Sequence, residues 1–220
     1  IDVIMTEITL LSLLAMLAVW STFRVKESDD IGHKIGEKMD KLWDITHQSM
    51  RENKMLRAEK ALLTILKIDQ KNAAAYNRLG ILYAKQKEFK DAIDCFEIAS
   101  TLEASASSLH NLGLIYYETG EYSKAVIAFQ EALDYEDELA SRHIAFAKAL
   151  EKVGDDKKML IELERAAELE PNKETLNLLM GAYEAKSMEI EASQIKKKLD
   201  KLIIPSGKTS RVLRPRKIVV

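Results

Sequence analysis

Two stretches in the middle of the chain repeat one another, and this self-similarity restricts the fold more than any other feature. Residues 76–99 and 109–132 superpose when the sequence is shifted by 33 residues, so that Leu79 meets Leu112 and Gly80 meets Gly113. The further matches are Tyr83 with Tyr116, Glu88 with Glu121, Phe89 with Tyr122, Ala92 with Ala125, Phe96 with Phe129 and Ala99 with Ala132. A period of this length predicts a repeat protein, in which one unit cannot bury its apolar face without neighbours.

The residue composition favours helices along the whole chain. The 220 residues include only 8 Gly and 3 Pro, and the apolar residues of the repeats recur at i, i+3 and i+4. This spacing is typical of amphipathic helices, and Gly120 is a turn signal between two of them. We therefore predict an all-α fold. A single cysteine, Cys95, excludes an intrachain disulfide and a multi-thiolate zinc site.

The repeated positions resemble the tetratricopeptide repeat, whose first helix carries Leu-Gly-x-x-Tyr and whose second helix carries Ala-x-x-x-Phe-x-x-Ala. Both stretches match this pattern in full. Weaker copies flank them, because residues 140–173 keep Gly154, Ala166 and Pro171, and residues 58–72 resemble the second helix of an earlier unit. The resemblance implies an α-solenoid of about five helix pairs between residues 31 and 202.

An uncharged apolar run covers residues 8–23, and with residues 3–7 it approaches the roughly 20 residues that cross a bilayer. Trp20 suits the membrane interface, and Arg24 and Lys26 follow the run, so the positive-inside rule places the repeats in the cytoplasm. We predict a transmembrane helix through residues 3–23, in a bacterial inner membrane. A cleaved signal peptide and a buried core helix are the alternatives. A basic segment ahead of Ile1 would reverse the orientation.

The family resemblance also implies a partner-binding groove, since first helices line the concave face of such solenoids. The groove positions, carried over residue by residue, are Asn77, Ile81, Lys85, His110, Asn111, Leu114, Tyr117, Glu118, Lys148, Glu151 and Lys152. This mixture of amide, imidazole, phenol and paired charges favours a peptide or protein partner over a small polar metabolite. An ordinary solvated helix face is the alternative. Of the residues with which chaperone-binding members clamp a carboxylate, Asn111 fits but the pairs on either side of it do not, which argues against a chaperone-tail receptor.

No set of residues predicts an enzyme, and we expect neither a cofactor nor a metal. His110 and His143 are one repeat period apart in the sequence, but no carboxylate motif accompanies them to complete a metal site. Cys95 lies beside Phe96 in a packing helix, which indicates a buried thiol. Residues 206–209 read Ser-Gly-Lys-Thr, but Leu202 occupies the place of the earlier glycine that a phosphate-binding loop needs.

The C-terminal residues 203–220 form a basic tail without an acidic residue, although the whole chain has a net charge of −2. Its charged residues are Lys208, Arg211, Arg214, Arg216 and Lys217. The tail could lie on an anionic leaflet, contact nucleic-acid phosphates or add a strand to a partner's sheet. We favour an anionic lipid surface or a protein partner over nucleic acid, because the rest of the chain is slightly acidic.

These features together predict a membrane-tethered scaffold or adaptor that binds a protein partner, or further copies of itself, and helps to assemble a membrane-associated complex. Two other functions remain open: a structural subunit of a large secretion or motility machine, and an extracytoplasmic assembly factor if the N-terminal run is a signal sequence. The predicted domains are a membrane anchor and its flank in 1–26, a degenerate helix pair in 27–72, core repeats in 73–172, a capping pair in 173–202 and the tail in 203–220.

Overall fold

The computed structural model describes Met16, Leu17, Trp20 and residues 32–203. All regular secondary structure from residue 32 to residue 203 is helical, which confirms the predicted all-α class. The helices are α1 (32–51), α2 (Met55–Ile68), α3 (Ala73–Gln86), α4 (Phe89–Leu102), α5 (Ala106–Glu118), α6 (Tyr122–Tyr135), α7 (Ala140–Val153), α8 (Asp156–Leu169), α9 (Lys173–Ala185) and α10 (Glu189–Ile203). They form five consecutive helix pairs, as the period predicts.

The predicted membrane anchor and the basic tail lie outside the described residues, apart from a few positions. Met16, Leu17 and Trp20 are helical and exposed, and Ile203 ends α10. Among the residues that the structure describes, no helix combines the length and the apolar character that crossing a bilayer requires.

The two helices of each pair are joined through one residue in the left-handed backbone conformation. These residues are Asn53, Lys87, Gly120, Gly154 and Ser187, with φ angles of 58°, 64°, 81°, 81° and 58°. They recur at nearly equal intervals along the chain, and this interval is the period of the structure. Residues other than glycine and asparagine are strained in this conformation by roughly 1–2 kcal/mol, so the turns at Lys87 and Ser187 carry a local penalty.

Glycine allows close helix packing in the two central pairs. A Cβ atom on Gly80 would lie 2.7 Å from the ring of Phe96, and one on Gly113 would lie 2.7 Å from the ring of Phe129. Each Phe side chain is only 1% exposed. The absence of a side chain at the glycine therefore makes room for the ring from the second helix of the same pair.

The chain divides into two compact units between Glu103 and Ala104. The core of the first unit contains Leu62, Ile65, Ala75, Leu79 and Cys95, with Met39, Leu42 and Trp43 of α1 packed against it. Cys95 is buried, in agreement with the sequence. Within this unit the Tyr83 hydroxyl donates a hydrogen bond of 3.2 Å to Glu59, which ties α3 to α2.

The second unit contains α5 to α10 and shows an equivalent link between consecutive pairs. The Tyr183 hydroxyl of α9 donates a hydrogen bond of 2.5 Å to Glu164 of α8. The largest fully buried side chains of this unit are Phe129, Phe146 and Leu150. The aromatic and aliphatic residues of the repeat pattern thus supply its core.

Candidate functional site

A cleft of 240 Å³ opens in the second unit between α7 and α9, with α8 beneath it. Met159 and Leu163 of α8 are buried and form its floor. The residues that line it are Ile144, Ala147, Lys148, Glu151, Met159, Leu163, Leu178, Gly181, Ala182, Ala185 and Lys186. The interior is therefore apolar, while charged side chains stand at the rim.

The cleft lies where two residues of the repeat pattern change. Ala147 and Leu163 occupy the positions that Gly113 and Phe129 hold in the preceding pair, and both line the cleft. Leucine fills less space than a phenylalanine ring, whereas alanine fills more than glycine. On the opposite wall a Cβ atom on Gly181 would meet nothing within 4 Å, so this part of the cleft is open.

Charges of both signs border the opening. Lys148 and Glu151 are exposed on α7, and the Lys186 ammonium lies 2.6 Å from a carboxylate oxygen of Asp156. An apolar interior with a few polar groups at its edge is the usual arrangement of a binding site. This arrangement can accept an apolar side chain of a partner, while the charged residues at the rim orient the partner's neighbouring charges.

Two of the predicted groove residues, Lys148 and Glu151, line this cleft, and Lys152 is exposed further along α7. On α5, Leu114 is 39% exposed and Glu118 is exposed, while Asn111 is half-buried. The half-buried Tyr117 ring meets the Tyr122 ring edge-on, with centroids 5.4 Å apart.

The three remaining groove positions on α3 belong to the first unit. Asn77 and Ile81 are half-buried, and Lys85 is exposed near the end of the helix. Their role in binding a partner stays a prediction.

His110 is largely a packing residue in this structure. Its ring lies 5.4 Å from the Phe129 ring between centroids, and its buried Nδ1 atom has no hydrogen-bond partner among the residues that the structure describes. Burial, helped by the positive charge of Arg142, lowers the pKa of His110 to about 4. The imidazole is therefore neutral at physiological pH.

His143 does not share a register with His110, although one period of the sequence repeat separates them. The helix α5 begins at Ala106 and α7 begins at Ala140, one position later than the sequence period predicts. The cause is the link from α6 to α7, which is one position longer than the link from α4 to α5. His143 therefore matches the buried Leu109, and Ile144 matches His110. The sequence period therefore does not make the two histidines equivalent at this point of the chain.

His143 instead belongs to a buried polar network at the start of α7. Its Nδ1 lies 2.7 Å from Glu162, and its Nε2 lies 2.8 Å from the Asp137 carbonyl oxygen. Beside it, Arg142 donates to the Glu136 carbonyl oxygen and pairs with the Glu136 carboxylate at 2.8 Å. Burial opposes the charged form of His143, but the bonds to Glu162 and Asp137 outweigh it and raise its pKa. This network secures the link from α6 to α7.

The sequence did not identify the α9 wall of the cleft. The missed residues are Ile144 of α7 together with Leu178, Gly181, Ala182, Ala185 and Lys186. The signal that could have found them is the sequence period, applied once more from the α7 positions. The step along the chain that leads from Gly154 to Ser187 also leads from Lys148 to Gly181.

The described residues contain no group of three or more His, Cys, Asp or Glu that could hold a metal ion. Burial, with the charges of Asp91 and Asp94, raises the pKa of the Cys95 thiol to about 11. The thiol therefore stays protonated at neutral pH, and its nucleophilic form is rare.

Comparisons with known proteins agree with the helical-repeat fold. Residues 71–135, which span α3 to α6, match the tetratricopeptide repeat family. No curated protein sequence matches the chain significantly.

Several solved structures share the fold. A crystal structure of the MamA protein is 23% identical, with a TM-score of 0.69, and covers 82% of this chain and 100% of its own. MamA from Desulfovibrio magneticus RS-1 is 15% identical, with a TM-score of 0.67 and coverages of 76% and 95%. YrrB, described as a TPR protein with an unusual peptide-binding site, is 19% identical, with a TM-score of 0.61 and coverages of 71% and 82%. These likenesses show that the chain has a tetratricopeptide-type helical fold.

Proposed function

We propose that this protein is a non-enzymatic scaffold that holds a peptide segment of a protein partner in the cleft between α7 and α9. The observation that carries the proposal is the open apolar interior of this cleft, bordered by Lys148, Glu151 and Lys186. Peptide recognition by helical repeats uses such combinations of side-chain pocket and polar rim. The fold that the chain shares with YrrB supports the same class of function.

The size of the cleft restricts what can enter it. Whole small-molecule ligands occupy pockets of roughly 300–1,000 Å³, and this cleft measures 240 Å³. It therefore suits one aliphatic side chain of a peptide. An acidic residue beside that side chain would pair with Lys148, and a basic one would pair with Glu151.

The proposal includes a tether at the membrane through residues 3–23, with the repeats in the cytoplasm. The uncharged run of residues 8–23 and the basic residues Arg24 and Lys26 support this arrangement. Anchoring would concentrate the partner at the bilayer and so promote assembly of a membrane-associated complex.

Site-specific photocrosslinking tests the cleft. A photoreactive side chain replaces Gly181 in the full chain, and a matched control carries it at Ile161, which is exposed on α8 and does not line the cleft. We expect one set of partner peptides at residue 181 and none at residue 161, as identified by mass spectrometry. Equal capture at both positions, or none at either, would contradict binding in the cleft.

The affinity of the captured peptide for variants at Gly181 gives a second test of binding in the cleft. Gly181→Leu fills the open wall and should weaken binding at least ~10-fold, which corresponds to about 1.4 kcal/mol. Gly181→Ala is the control, because a Cβ there meets nothing within 4 Å.

The membrane tether has its own test. In intact spheroplasts, added protease should leave the exposed Lys85 and Lys148 sites uncut, and alkaline washing should leave the chain in the membrane fraction. Cleavage from outside would contradict a cytoplasmic domain, and release into the wash would contradict a transmembrane anchor.

A further inference from the structure

A second and larger groove, of 610 Å³, lies in the same unit between α8 and α10. Leu176, Leu179 and Tyr183 of α9 line it and are buried, so α9 forms its floor. None of its residues lines the cleft between α7 and α9. The two sites are therefore separate.

The groove follows α10 along most of the length of that helix. Its lining runs from Glu191 through Gln194, Ile195, Lys198 and Lys201 to Leu202. These residues recur at helical spacing on one face of α10, and they extend over about 16 Å at 1.5 Å per residue. Leu202 is 54% exposed although it is aliphatic.

The wall formed by α8 is acidic. Glu164 and Glu168 line it, and Glu191 adds a third carboxylate from α10. Lys198 and Lys201 of α10 are the basic residues of the lining. A chain that fits this groove would place basic side chains toward α8 and aliphatic ones toward the floor and Leu202.

The chain itself supplies a segment of this chemistry where α10 ends. Residues 204–220 carry five basic residues and no acidic one, interleaved with the aliphatic groups Val212-Leu213 and 218–220. The segment begins just after Leu202, which lines one end of the groove. Pro205, Ser206 and Gly207 are turn-forming residues, which favour a reversal of the chain direction here.

The length of the segment is sufficient. An extended chain advances about 3.3 Å per residue, so about five residues cover the roughly 16 Å of the groove. Val212 and Leu213 lie far enough beyond Ile203 to leave chain for the turn and for either direction of entry. Tethering one end beside the groove also gives the segment a high effective concentration there.

We propose that residues 204–220 fold back and bind in the groove between α8 and α10 of the same chain. Their basic side chains pair with Glu164 and Glu168, and Val212 and Leu213 cover Leu202 and the apolar floor. The basic tail is then held by its own repeat domain, and a competing anionic surface has to displace it.

Proximity crosslinking in the full chain tests this binding mode. Cys95→Ala removes the single native thiol, and the pair Gln194→Cys with Leu213→Cys places one new thiol in the groove and one in the tail. The control pair combines Leu213→Cys with Lys197→Cys, which is exposed on α10 and does not line the groove. We expect intramolecular disulfide formation to be ~5-fold or more faster for the Gln194 pair, because binding raises the local concentration of the tail thiol.

Equal crosslinking of the two pairs would overturn the proposal. A disulfide that joins two chains would also overturn it, and would assign the groove to a second copy. Faster crosslinking that is lost in the background Glu164→Lys, Glu168→Lys would support it, since the acidic wall is then reversed.

Hydrogen exchange of α10 gives an independent measurement without cysteines. Val212→Asp with Leu213→Asp should speed exchange of the amides of residues 194–203, whereas Thr209→Asp with Ser210→Asp, which adds the same charge, should change it less. The same rates in both variants would contradict apolar contact with the groove. If only vesicles containing phosphatidylglycerol protect residues 204–220, the segment binds lipid and the proposal fails. None of these measurements involves the cleft between α7 and α9, so they stand or fall separately from the proposed function.

Discussion

The pairs α5–α6 and α7–α8 follow one another in the chain but solve the same packing problem differently. In α5–α6 a glycine and a phenylalanine ring fit together, and a Ser105–Ser108 capping box starts the first helix. In α7–α8 the equivalent residues are Ala147 and Leu163, α7 starts without a side-chain cap, and a buried polar network secures its N-terminal link instead. The cleft therefore lies beside the pair in which alanine and leucine replace the glycine and the phenylalanine.

The largest expected effect is the loss of stability when the large core side chain of each pair is removed. Phe129→Ala removes a side chain that is 1% exposed and should lower the free energy of unfolding by about 3–5 kcal/mol. Leu163→Ala should lower it by about 2 kcal/mol, at the small end for leucine, because Leu163 already borders a cleft. Urea unfolding followed by far-UV circular dichroism measures both. Equal losses of unfolding free energy would show that Phe129 is not better packed than Leu163.

Substitution by alanine should change the stability in opposite directions at Gly113 and at Gly181. Gly113→Ala places a Cβ 2.7 Å from the Phe129 ring, and overpacking of this kind lowers stability by about 1–3 kcal/mol. Gly181→Ala adds a Cβ in open space inside α9, and should raise stability by about 0.5–1 kcal/mol through helix propensity. Thermal and urea unfolding of the two variants check the signs, and a stabilising Gly113→Ala would refute the close approach of α5 to Phe129.

Acid should weaken the α5–α6 pair through His110. Because burial and Arg142 lower the pKa of His110 from 6.5 to about 4, the unfolded chain takes up a proton first as the pH falls. Stability is therefore lost between about pH 6.5 and pH 4, by roughly 1–3 kcal/mol at most. His110→Asn, the residue at the equivalent position Asn77, should reduce this loss. An unchanged difference in urea midpoint between pH 7 and pH 4.5 would contradict the assignment.

His143 in the α7–α8 pair should respond to pH in the opposite direction. Its pKa is raised in the folded state, so its contribution is fully present below the unfolded pKa near 6.5 and is lost as the pH rises through the folded pKa. Glu162→Gln removes the carboxylate that holds the charge and should flatten this dependence above pH 6.5. Urea unfolding from pH 6 to pH 9 compares the two proteins, and parallel curves would argue against a charged His143–Glu162 pair.

The smallest effects concern the left-handed turns. Lys87→Gly should raise the free energy of unfolding by about 0.5–1 kcal/mol, because glycine adopts positive φ without strain. Gly154→Ala at the equivalent turn should lower it by about 1–2 kcal/mol. Differential scanning calorimetry measures the shifts, and the same sign for both variants would contradict the equivalence of the two turns.

Much of the fold could be predicted from residues that packing constrains strongly. Gly80, Gly113, Phe96 and Phe129 occupy positions that few other residues fit, so their repetition is visible in the sequence. The left-handed turns at Lys87 and Ser187 were not predicted, because the surrounding helices impose a conformation that these residues do not prefer. The α9 wall of the cleft was not predicted, because Met180 and Lys196 depart from the repeat pattern there.

The site was predictable only in part, because a helical period fixes which face a residue is on to within about one position. Because of the extra residue between α6 and α7, His143 matches the buried Leu109 and not His110, and Glu162 and Asp137 satisfy both of its ring nitrogens. One residue rotates a helical position by about 100°, which separates a groove residue from a buried one. Lys148 and Glu151 keep the helix positions that the sequence assigned to them, because Gly154 marks the end of α7.

The sequence alone predicted the series of about five helix pairs that the structure describes from residue 32 to residue 203, since a repeated pattern of small and large apolar residues can bury itself only by stacking. It also determined the chemistry of the two termini, an apolar run and a basic tail. The tertiary structure decided where space remains between the helices. Volume is a property of several side chains from different helices at once, and the combination of Ala147, Leu163 and Gly181 becomes a cleft only when α7, α8 and α9 come together.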